Sequence, residues 1–431
     1  MISIQAEPAS LKTFLKPIRN FFEGDVTSYY YAWRFIVGLA FLFSHKSEDN
    51  ISKLLGAQRT RQSYDNFFNK RDWDCQSLLR RTAKQTLKSL GWKEGDPLYL
   101  ALDDTQNEKR AFKMEAVSKI FLHAEKRYAK GHILVACAII YRGVAIPYGI
   151  KIWVGKNNFS NLAMKYGWTN RQTINELAAE LIRSLDVTKK TKVTVVFDKY
   201  YLNQKVVKAC NEMGFRYIGA VKSNRLFTIA GSKKNTIKIG SHIVGLMRWH
   251  GKYTPIKGSI LLHKLASNFG YISKIGLVKI VCSQRKGETK ILTLATNDTS
   301  LSPEEVVTTY RNRWDIEILF KTSKQYLGLG DYQLLQYQAI EKYLHLVLCA
   351  HCLLTRQAYI MADEKEKEIR SKTLIRIGVY KAKIMFQNTI VNDCLDSIFN
   401  NKRYESQSRR FVEKIRRTFT GENTFDFIYS I

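Results

Sequence analysis

The chain has 431 residues, of which 45% are hydrophobic, so it is longer than one average domain and too apolar for wholesale disorder. We therefore predict roughly two to four domains. The 69 Lys and Arg residues outweigh 38 Asp and Glu, and the net charge of +31 favours a polyanionic partner. Nucleic acid is the first candidate, because each neutralised phosphate releases counterions, and an anionic membrane surface is the alternative.

The longest apolar run, residues 35–43, is too short to span a bilayer, so we predict a buried helix segment and no membrane partner. The seven cysteines are odd in number and widely spaced, which argues against a disulfide framework and fits a reducing cytoplasm. Cys349 and Cys352 have the C-x-x-C spacing of some zinc sites, but no second pair accompanies them. Their apolar neighbours predict packing in a core helix.

Taken in chain order, residues 1–92 have the pattern of a helical domain. Ser47 is a residue type that caps helices, and it precedes the apolar positions Ile51 and Leu54. A later helix carries leucines with Arg and Lys between them and ends at Gly91. We predict a basic helical DNA-binding domain here, and a charged face exposed to solvent is the alternative.

Strands then alternate with helices, which predicts an α/β layer with some parallel strands. "LALDDT" is an apolar run that ends in Asp103 and Asp104, and "VVFDKYY" contains a second run that ends in Asp198. A turn at Arg142 and Gly143 between two β-rich runs predicts a hairpin. Both acidic segments are therefore expected at the carboxyl ends of strands, where ligands and catalytic groups collect in open α/β sheets.

Residues 223–298 lose this helical periodicity and consist of short β-rich runs, among them "NTIKIGSHIVGLMRW", which predicts a β-rich insertion. Helix returns where Ser302, Pro303 and Glu305 form a capping box with proline at the first helical position. The remainder is mostly helical. Its basic stretch at 409–417 is either a contact for DNA or a second subunit, or a solvated face.

The helix that follows Ser302 carries polar residues in an unusual arrangement. At about 100° per residue, Tyr310, Arg313, Glu317 and Lys324 fall within roughly 60° of one another, and we call these four residues the polar stripe. Most faces of the helix are apolar, so it should be largely buried, and buried charges need partners. An internal salt bridge between Arg313 and Glu317 is one explanation.

Three acids suggest another explanation. Asp103 and Asp198 are expected at strand ends, and Glu317 lies on the helix with the polar stripe. Carboxylates are the ligands that hard divalent cations such as Mg²⁺ prefer, and two such ions roughly 4 Å apart can promote phosphodiester transfer. A single aspartate at a strand end is usually a turn or helix cap, so the argument depends on the three acids together.

The polar stripe matches every fixed position of the Y-x2-R-x3-E-x6-K signature, and in this the chain resembles the bacterial insertion-sequence DDE transposases. "DDT" at 103–105 looks like the first-acid motif of that family, and "FDKYY" at 197–201 looks like the second. The resemblance covers about residues 95–330, with a looser likeness in the basic N-terminal region. The β-rich stretch between Asp198 and Glu317 is similar to the strand-rich insertion of the family.

The resemblance implies an α/β fold with an RNase H-like catalytic core that is interrupted by the β-rich insertion. It implies two Mg²⁺ ions, with Mn²⁺ as a substitute. The residues that it assigns as catalytic and metal-binding are Asp103, Asp198 and Glu317, and those that it assigns to DNA phosphates are Tyr310, Arg313 and Lys324. The D-x-T pattern selects Asp103, but strand alternation points Asp103 and Asp104 to opposite faces, so Asp104 stays an alternative.

The expected function is a DDE transposase of the bacterial nucleoid that binds terminal inverted repeats and catalyses metal-dependent cleavage and strand transfer. Its partners would be double-stranded repeat and target DNA, with a homodimer in the DNA complex. The alternatives are an inactive, transposase-derived DNA-binding protein and a structure-selective nuclease with an RNase H-like core. The expected domains are 1–92 for DNA binding, 93–222 with 299–360 for catalysis, 223–298 as the insertion, and 361–431 as a helical region for DNA contact or dimerisation.

Overall fold

A computed structural model describes most of the chain, which folds into two compact units. One unit comprises Met1–Gly91 and Thr322–Ile431, and we call it the helical unit. The other comprises Trp92–Lys321, and we call it the sheet unit. The described residues are 9–42, 45–54, 61–111, 113–122, 125–231, 236–361 and 379–389. The basic stretch 409–417 and Cys394 lie outside them.

The secondary structure of the described residues is mixed α/β, with helices at both ends of the chain. The helices are α1 (Ala9–Phe21), α2 (Val26–Phe41), α3 (Glu48–Leu54), α4 (Arg61–Lys70), α5 (Cys75–Ser89), α6 (Lys156–Tyr166), α7 (Ile174–Arg183), α8 (Gln204–Glu212), α9 (Ile239–His250), α10 (Pro303–Tyr310), α11 (Trp314–Leu327) and α12 (Tyr337–Met361). The strands are β1 (Leu98–Glu108), β2 (Ser118–Leu122), β3 (Arg127–Tyr141), β4 (Val144–Ile152), β5 (Val193–Phe197), β6 (Arg216–Ala220), β7 (Leu226–Ile229), β8 (Thr236–Lys238), β9 (Lys252–Thr254), β10 (His263–Ile272), β11 (Gly276–Arg285) and β12 (Leu292–Thr296). Residues 379–389 are also helical.

The core of the helical unit forms around α12, which packs against α2, α4 and α5. An aromatic cluster joins these helices, in which Phe35 makes edge contacts with Phe68 and Tyr343. Cys349 and Cys352 are both fully buried on α12, so their predicted core packing is confirmed. None of the helices in the described ranges is long and apolar enough to cross a membrane.

The sheet unit is built on one large mixed sheet, to which every strand of the described residues belongs. Strand β1 is parallel to β5, and β5 is parallel to β6, whereas β3 is antiparallel to both β1 and β4. The predicted hairpin turn is confirmed between β3 and β4, where Arg142 and Gly143 both have positive φ. All five residues of β5 are buried, so the centre of the sheet is covered on both faces.

The residues 223–298 add strands to the same sheet, because β12 pairs with β6 and the sheet then continues through β11, β10, β7 and β8. The expectation of a β-rich run over "NTIKIGSHIVGLMRW" is wrong for most of its length, since α9 occupies residues 239–250. Ile239, Ile243, Leu246 and Met247 are buried at helical spacing along α9. Burial of this apolar stripe stabilises a helix, although the β-branched residues of the segment favour a strand.

Candidate active site

Asp103 and Asp198 lie side by side where the central parallel strands of the sheet unit separate. The parallel register between β1 and β5 ends at the pair of Leu102 and Phe197, and each acid is the next residue along its segment. The sequence predicted that strand β1 ends at Asp103 and Asp104, and this is wrong. The strand continues to Glu108 because β3 pairs with it throughout, and Asp103 is opposite Ala136. The acids therefore mark the end of the β1–β5 pairing.

The segment that carries the polar stripe is interrupted, although the sequence predicted one continuous helix. The predicted start is confirmed: Ser302 and Glu305 form the capping box and Pro303 is the first residue of α10. Residues Arg311–Arg313 then form a 3-10 turn that packs against β1 and β5, and α11 begins at Trp314. A 3-10 turn advances about 120° per residue, so a projection at a constant 100° does not describe this segment.

Arg313 lies between two of the three acids and contacts both of them. Its Nη1 atom is 3.1 Å from Oδ2 of Asp103, and its Nη2 atom is 2.5 Å from Oε1 of Glu317. The Arg313 side chain is only 16% exposed. The salt bridge that the sequence offered as an alternative explanation for Glu317 is thus present, and the same guanidinium also reaches the acid on β1.

Asp104 has a different partner from Asp103. The hydroxyl group of the fully buried Tyr201 donates a 2.7 Å hydrogen bond to Oδ1 of Asp104. The backbone N–H of Asp104 donates to Oδ1 of Asp103 at 2.9 Å. Alternation along β1 therefore gives the two aspartates separate environments, and Asp103 is the one that shares Arg313 with Glu317.

Burial of Asp103 disfavours its charge. It raises the pKa of that carboxyl to about 7, and the nearby charges of Asp104 and Asp198 act in the same direction. The hydrogen bond from the Asp104 amide and the charge of Arg313 oppose this rise. Burial therefore outweighs the attraction of Arg313, and Asp103 gains a proton far more readily than an exposed aspartate does.

Tyr310 covers the same cluster, with its ring centre 5.9 Å from Cζ of Arg313. Burial raises the pKa of Tyr310 to about 12, and the charges of Asp198 and Asp103 add to this, while Arg313 opposes it. The phenol stays protonated at neutral pH and can donate a hydrogen bond. Lys324 lies about two turns beyond Glu317, on the part of α11 that belongs to the helical unit, and burial lowers its pKa to about 8.

The side chains of Asp103, Asp198 and Glu317 are all carboxylates, which are the ligands that a hard divalent cation prefers. Arg313 is a stand-in for such a cation, because its guanidinium shows that Asp103 and Glu317 can share one positive group. Asp198 is close enough to influence the pKa of Asp103 and of Tyr310. Within the described ranges, however, no three His, Cys, Asp or Glu side chains are already arranged to hold a metal ion.

Two further residues lie within the recognised motifs, and sequence reasoning did not identify their partners. Tyr201 lies inside the "FDKYY" motif, and its hydroxyl binds Asp104 as described above. Arg311 begins the 3-10 turn, and its two Nη atoms donate to the carbonyl oxygens of Lys257 and Gly258 at 2.9 and 2.8 Å. Both residues stand within motifs that were recognised, but nothing in the spacing of those motifs indicates which partner each side chain meets.

Comparison with known proteins finds similarity to transposases. Residues 148–353 match the family model described as "Transposase DDE domain", a segment that includes Asp198 and Glu317 and begins after Asp103. The chain is also 22% identical over 323 residues to the probable transposase for insertion sequence element IS701 of Microchaete diplosiphon. That alignment covers 71% of this chain and 77% of the relative.

Proposed function

We propose that this chain is a DDE transposase that binds the terminal inverted repeats of an insertion sequence and catalyses metal-dependent DNA cleavage and strand transfer. The observation that carries the proposal is the single cluster of Asp103, Glu317, Arg313 and Tyr310 beside Asp198. The similarity to a transposase DDE domain supports the same conclusion. Because its substrate would be chromosomal and target DNA, we place this activity at the bacterial nucleoid, in the cytoplasm.

The catalytic core would be RNase H-like, with β1 central and the acids at the edge where β5 ends. The mixed pairing of β1, with β3 antiparallel on one side and β5 parallel on the other, supports this assignment. We also propose the functional division into residues 1–92 for DNA binding and 223–298 as an insertion. Residues 322–361 belong to the same compact unit as the N-terminal helices, so the expected catalytic range 299–360 spans both units.

In the proposed mechanism Asp103, Asp198 and Glu317 would hold two Mg²⁺ ions, for which Mn²⁺ could substitute. When bound, such ions supply Lewis-acid polarisation of a phosphate and a lowered pKa for attacking water. Arg313 and Lys324 would bind phosphate oxygens through charge-assisted hydrogen bonds. Tyr310 would donate a hydrogen bond from its hydroxyl group to a phosphate oxygen. The hydroxyl group stays protonated because its pKa is raised to about 12.

The experiment is excision from a plasmid that carries the gene with its flanking genomic DNA, assayed with purified protein and Mg²⁺. We expect Asp198→Asn and Glu317→Gln to abolish end cleavage while DNA binding persists. Asp315→Asn is the matched control, because Asp315 lies on the same helix and loses the same charge. Cleavage by the Asp198 and Glu317 variants at the wild-type rate would refute the proposal.

A non-catalytic DNA-binding protein is the second candidate, and one observation favours it. Arg313 already neutralises Asp103 and Glu317, an arrangement that a protein without metal chemistry would also retain. Repeat-specific binding without any cleavage in Mg²⁺ or Mn²⁺ would decide for this candidate. Cleavage of branched DNA without strand-transfer products would decide instead for a structure-selective nuclease.

A further inference from the structure

We infer that Arg313 couples the binding of divalent cations to the binding of DNA phosphate, because it must exchange its two carboxylate partners for a phosphate when an ion enters. This inference rests on the proposed function and adds to it a thermodynamic link between the two ligands. It predicts that the free protein has a weak metal site and that DNA strengthens that site.

The first step is competition for the same oxygen atoms. The guanidinium uses one Nη atom for Oδ2 of Asp103 and the other for Oε1 of Glu317, so it is positioned between strand β1 and helix α11. A divalent cation ligated by the same two carboxylates would face a positive charge only a few ångströms away. Ion binding therefore has to break both ion pairs of Arg313.

The second step concerns the displaced side chain. Arg313 is mostly buried, and a partly desolvated cation without a partner is strongly unfavourable. Within reach it has Tyr310, whose ring centre is 5.9 Å away and whose hydroxyl group is in hydrogen-bond contact, but this neutral side chain does not replace two carboxylates. A DNA phosphate offers a stronger replacement, since it accepts two parallel hydrogen bonds from one guanidinium.

The third step follows from linkage. If phosphate stabilises the displaced Arg313, then DNA raises the affinity for the divalent cation, and the cation raises the affinity for DNA by the same factor. The free protein then carries few ions, so its phosphodiester chemistry is limited to bound DNA. Arg313 acts in this account as a positioning residue for the metal site and as a contact for DNA.

The test is a titration of the full chain with Mn²⁺, in which the electron paramagnetic resonance signal of free Mn²⁺ measures binding with and without a short duplex of arbitrary sequence. Without DNA, Arg313→Met should bind Mn²⁺ at least roughly fivefold more tightly than wild type, a coupling at the lower end of the usual range. The duplex should tighten Mn²⁺ binding to wild type and leave Arg313→Met unchanged. Arg313→Lys, whose single ammonium group cannot reach both acids with a planar fork, should fall between the two.

Arg311→Met is the matched control, because Arg311 lies in the same 3-10 turn and bonds backbone carbonyls instead of acids. It should change Mn²⁺ affinity less than twofold, and circular dichroism verifies that each variant is folded. Unchanged or weaker Mn²⁺ binding by folded Arg313→Met would overturn the inference. Glu317→Gln separates the two failures: if it abolishes Mn²⁺ binding, the metal site stands without the coupling, and if it has no effect, the proposed function fails.

Discussion

The hydroxyl group of Tyr201 donates a 2.7 Å hydrogen bond to Asp104 and thereby joins the two segments that carry the candidate metal ligands. Asp104 is next to Asp103 on β1, and Tyr201 is three residues after Asp198 in the turn that follows β5. In the same turn Asp198 accepts a 2.7 Å hydrogen bond from the N–H of Tyr200. Tyr201 is not one of the candidate metal ligands, but its hydrogen bond connects the segment that carries Asp198 to the strand that carries Asp103.

Tyr201→Phe should destabilise the sheet unit and weaken Mn²⁺ binding. The substitution removes a partly buried hydrogen bond to a carboxylate, which contributes about 1.5–3 kcal/mol, and it leaves Asp104 without that donor. Urea unfolding and the Mn²⁺ titration measure the two effects. Tyr200→Phe is the control, because Tyr200 is 44% exposed, and its unfolding free energy should change by less than about 0.5 kcal/mol. Equal behaviour of the two variants would contradict the positioning role of Tyr201.

Gly219→Ala should destabilise the protein by about 1–3 kcal/mol, because an added Cβ on β6 would lie 2.1 Å from a ring carbon of Phe197. Phe197 is fully buried and directly precedes Asp198, so its displacement should also impair the metal site. Gly245→Ala is the control: it lies in α9 with open space around the new Cβ and should be neutral or more stable by up to about 1 kcal/mol. Denaturant unfolding compares them, and a neutral Gly219→Ala would refute the packing argument.

Arg311→Gln should release the loop at residues 257–262 from the 3-10 turn. The two hydrogen bonds from Arg311 to the Lys257 and Gly258 carbonyls involve a charged donor, so their loss should accelerate amide exchange in this loop at least roughly tenfold. Hydrogen exchange followed by mass spectrometry measures this. Arg285→Gln, which removes an exposed ion pair with Glu288, should leave the loop unchanged. Equal exchange of the loop in wild type and Arg311→Gln would show that other contacts hold it.

Glu48 should make the stability of the helical unit depend on pH. Burial raises the pKa of this carboxyl from 4.5 to about 7, and its Oε1 atom has no hydrogen-bond partner among the described residues. The folded state thus holds the proton more tightly than the unfolded chain. The contribution of protonated Glu48 to the stability of the folded state is complete below pH 4.5 and is lost as the pH rises through about 7.

The Glu48→Gln variant should therefore lose less stability than wild type between these pH values, by roughly 3 kcal/mol in the free energy of unfolding. Thermal unfolding at a series of pH values gives the comparison. Glu23→Gln, a change at an exposed acid in the same unit, should follow the wild-type curve. Parallel curves for wild type and Glu48→Gln would mean that Glu48 titrates as an exposed acid.

Local features of the fold could be predicted from the sequence because each depends on a few adjacent residues. The capping box at Ser302 and Glu305 and the turn at Arg142 and Gly143 are of this kind. The extension of β1 beyond Asp104 could not be predicted, since it depends on pairing with β3, a strand distant in sequence. The helix α9 was missed although its buried positions have helical spacing, because its composition resembles that of a strand.

The candidate site shows the same division. The spacing of the polar stripe identified Arg313 and Glu317 as neighbours, and they form an ion pair. The same spacing assumed one regular helix, and the 3-10 turn at residues 311–313 is a response to packing on β1 and β5 that periodicity does not reveal. The second ion pair of Arg313, to Asp103, joins residues 210 positions apart, so the spacing of residues in the sequence could not predict it.

The most direct test of the central claim is a metal-specificity switch at Asp198. Asp198→Cys replaces a carboxylate by a thiolate, a softer ligand that accepts Mn²⁺ more readily than Mg²⁺. If Asp198 ligates the catalytic ion, cleavage of repeat-containing DNA by this variant is lost in Mg²⁺ and partly recovered in Mn²⁺, whereas Asp315→Cys cleaves normally with either ion. Wild-type cleavage by Asp198→Cys in Mg²⁺, or no recovery in Mn²⁺, would contradict the account.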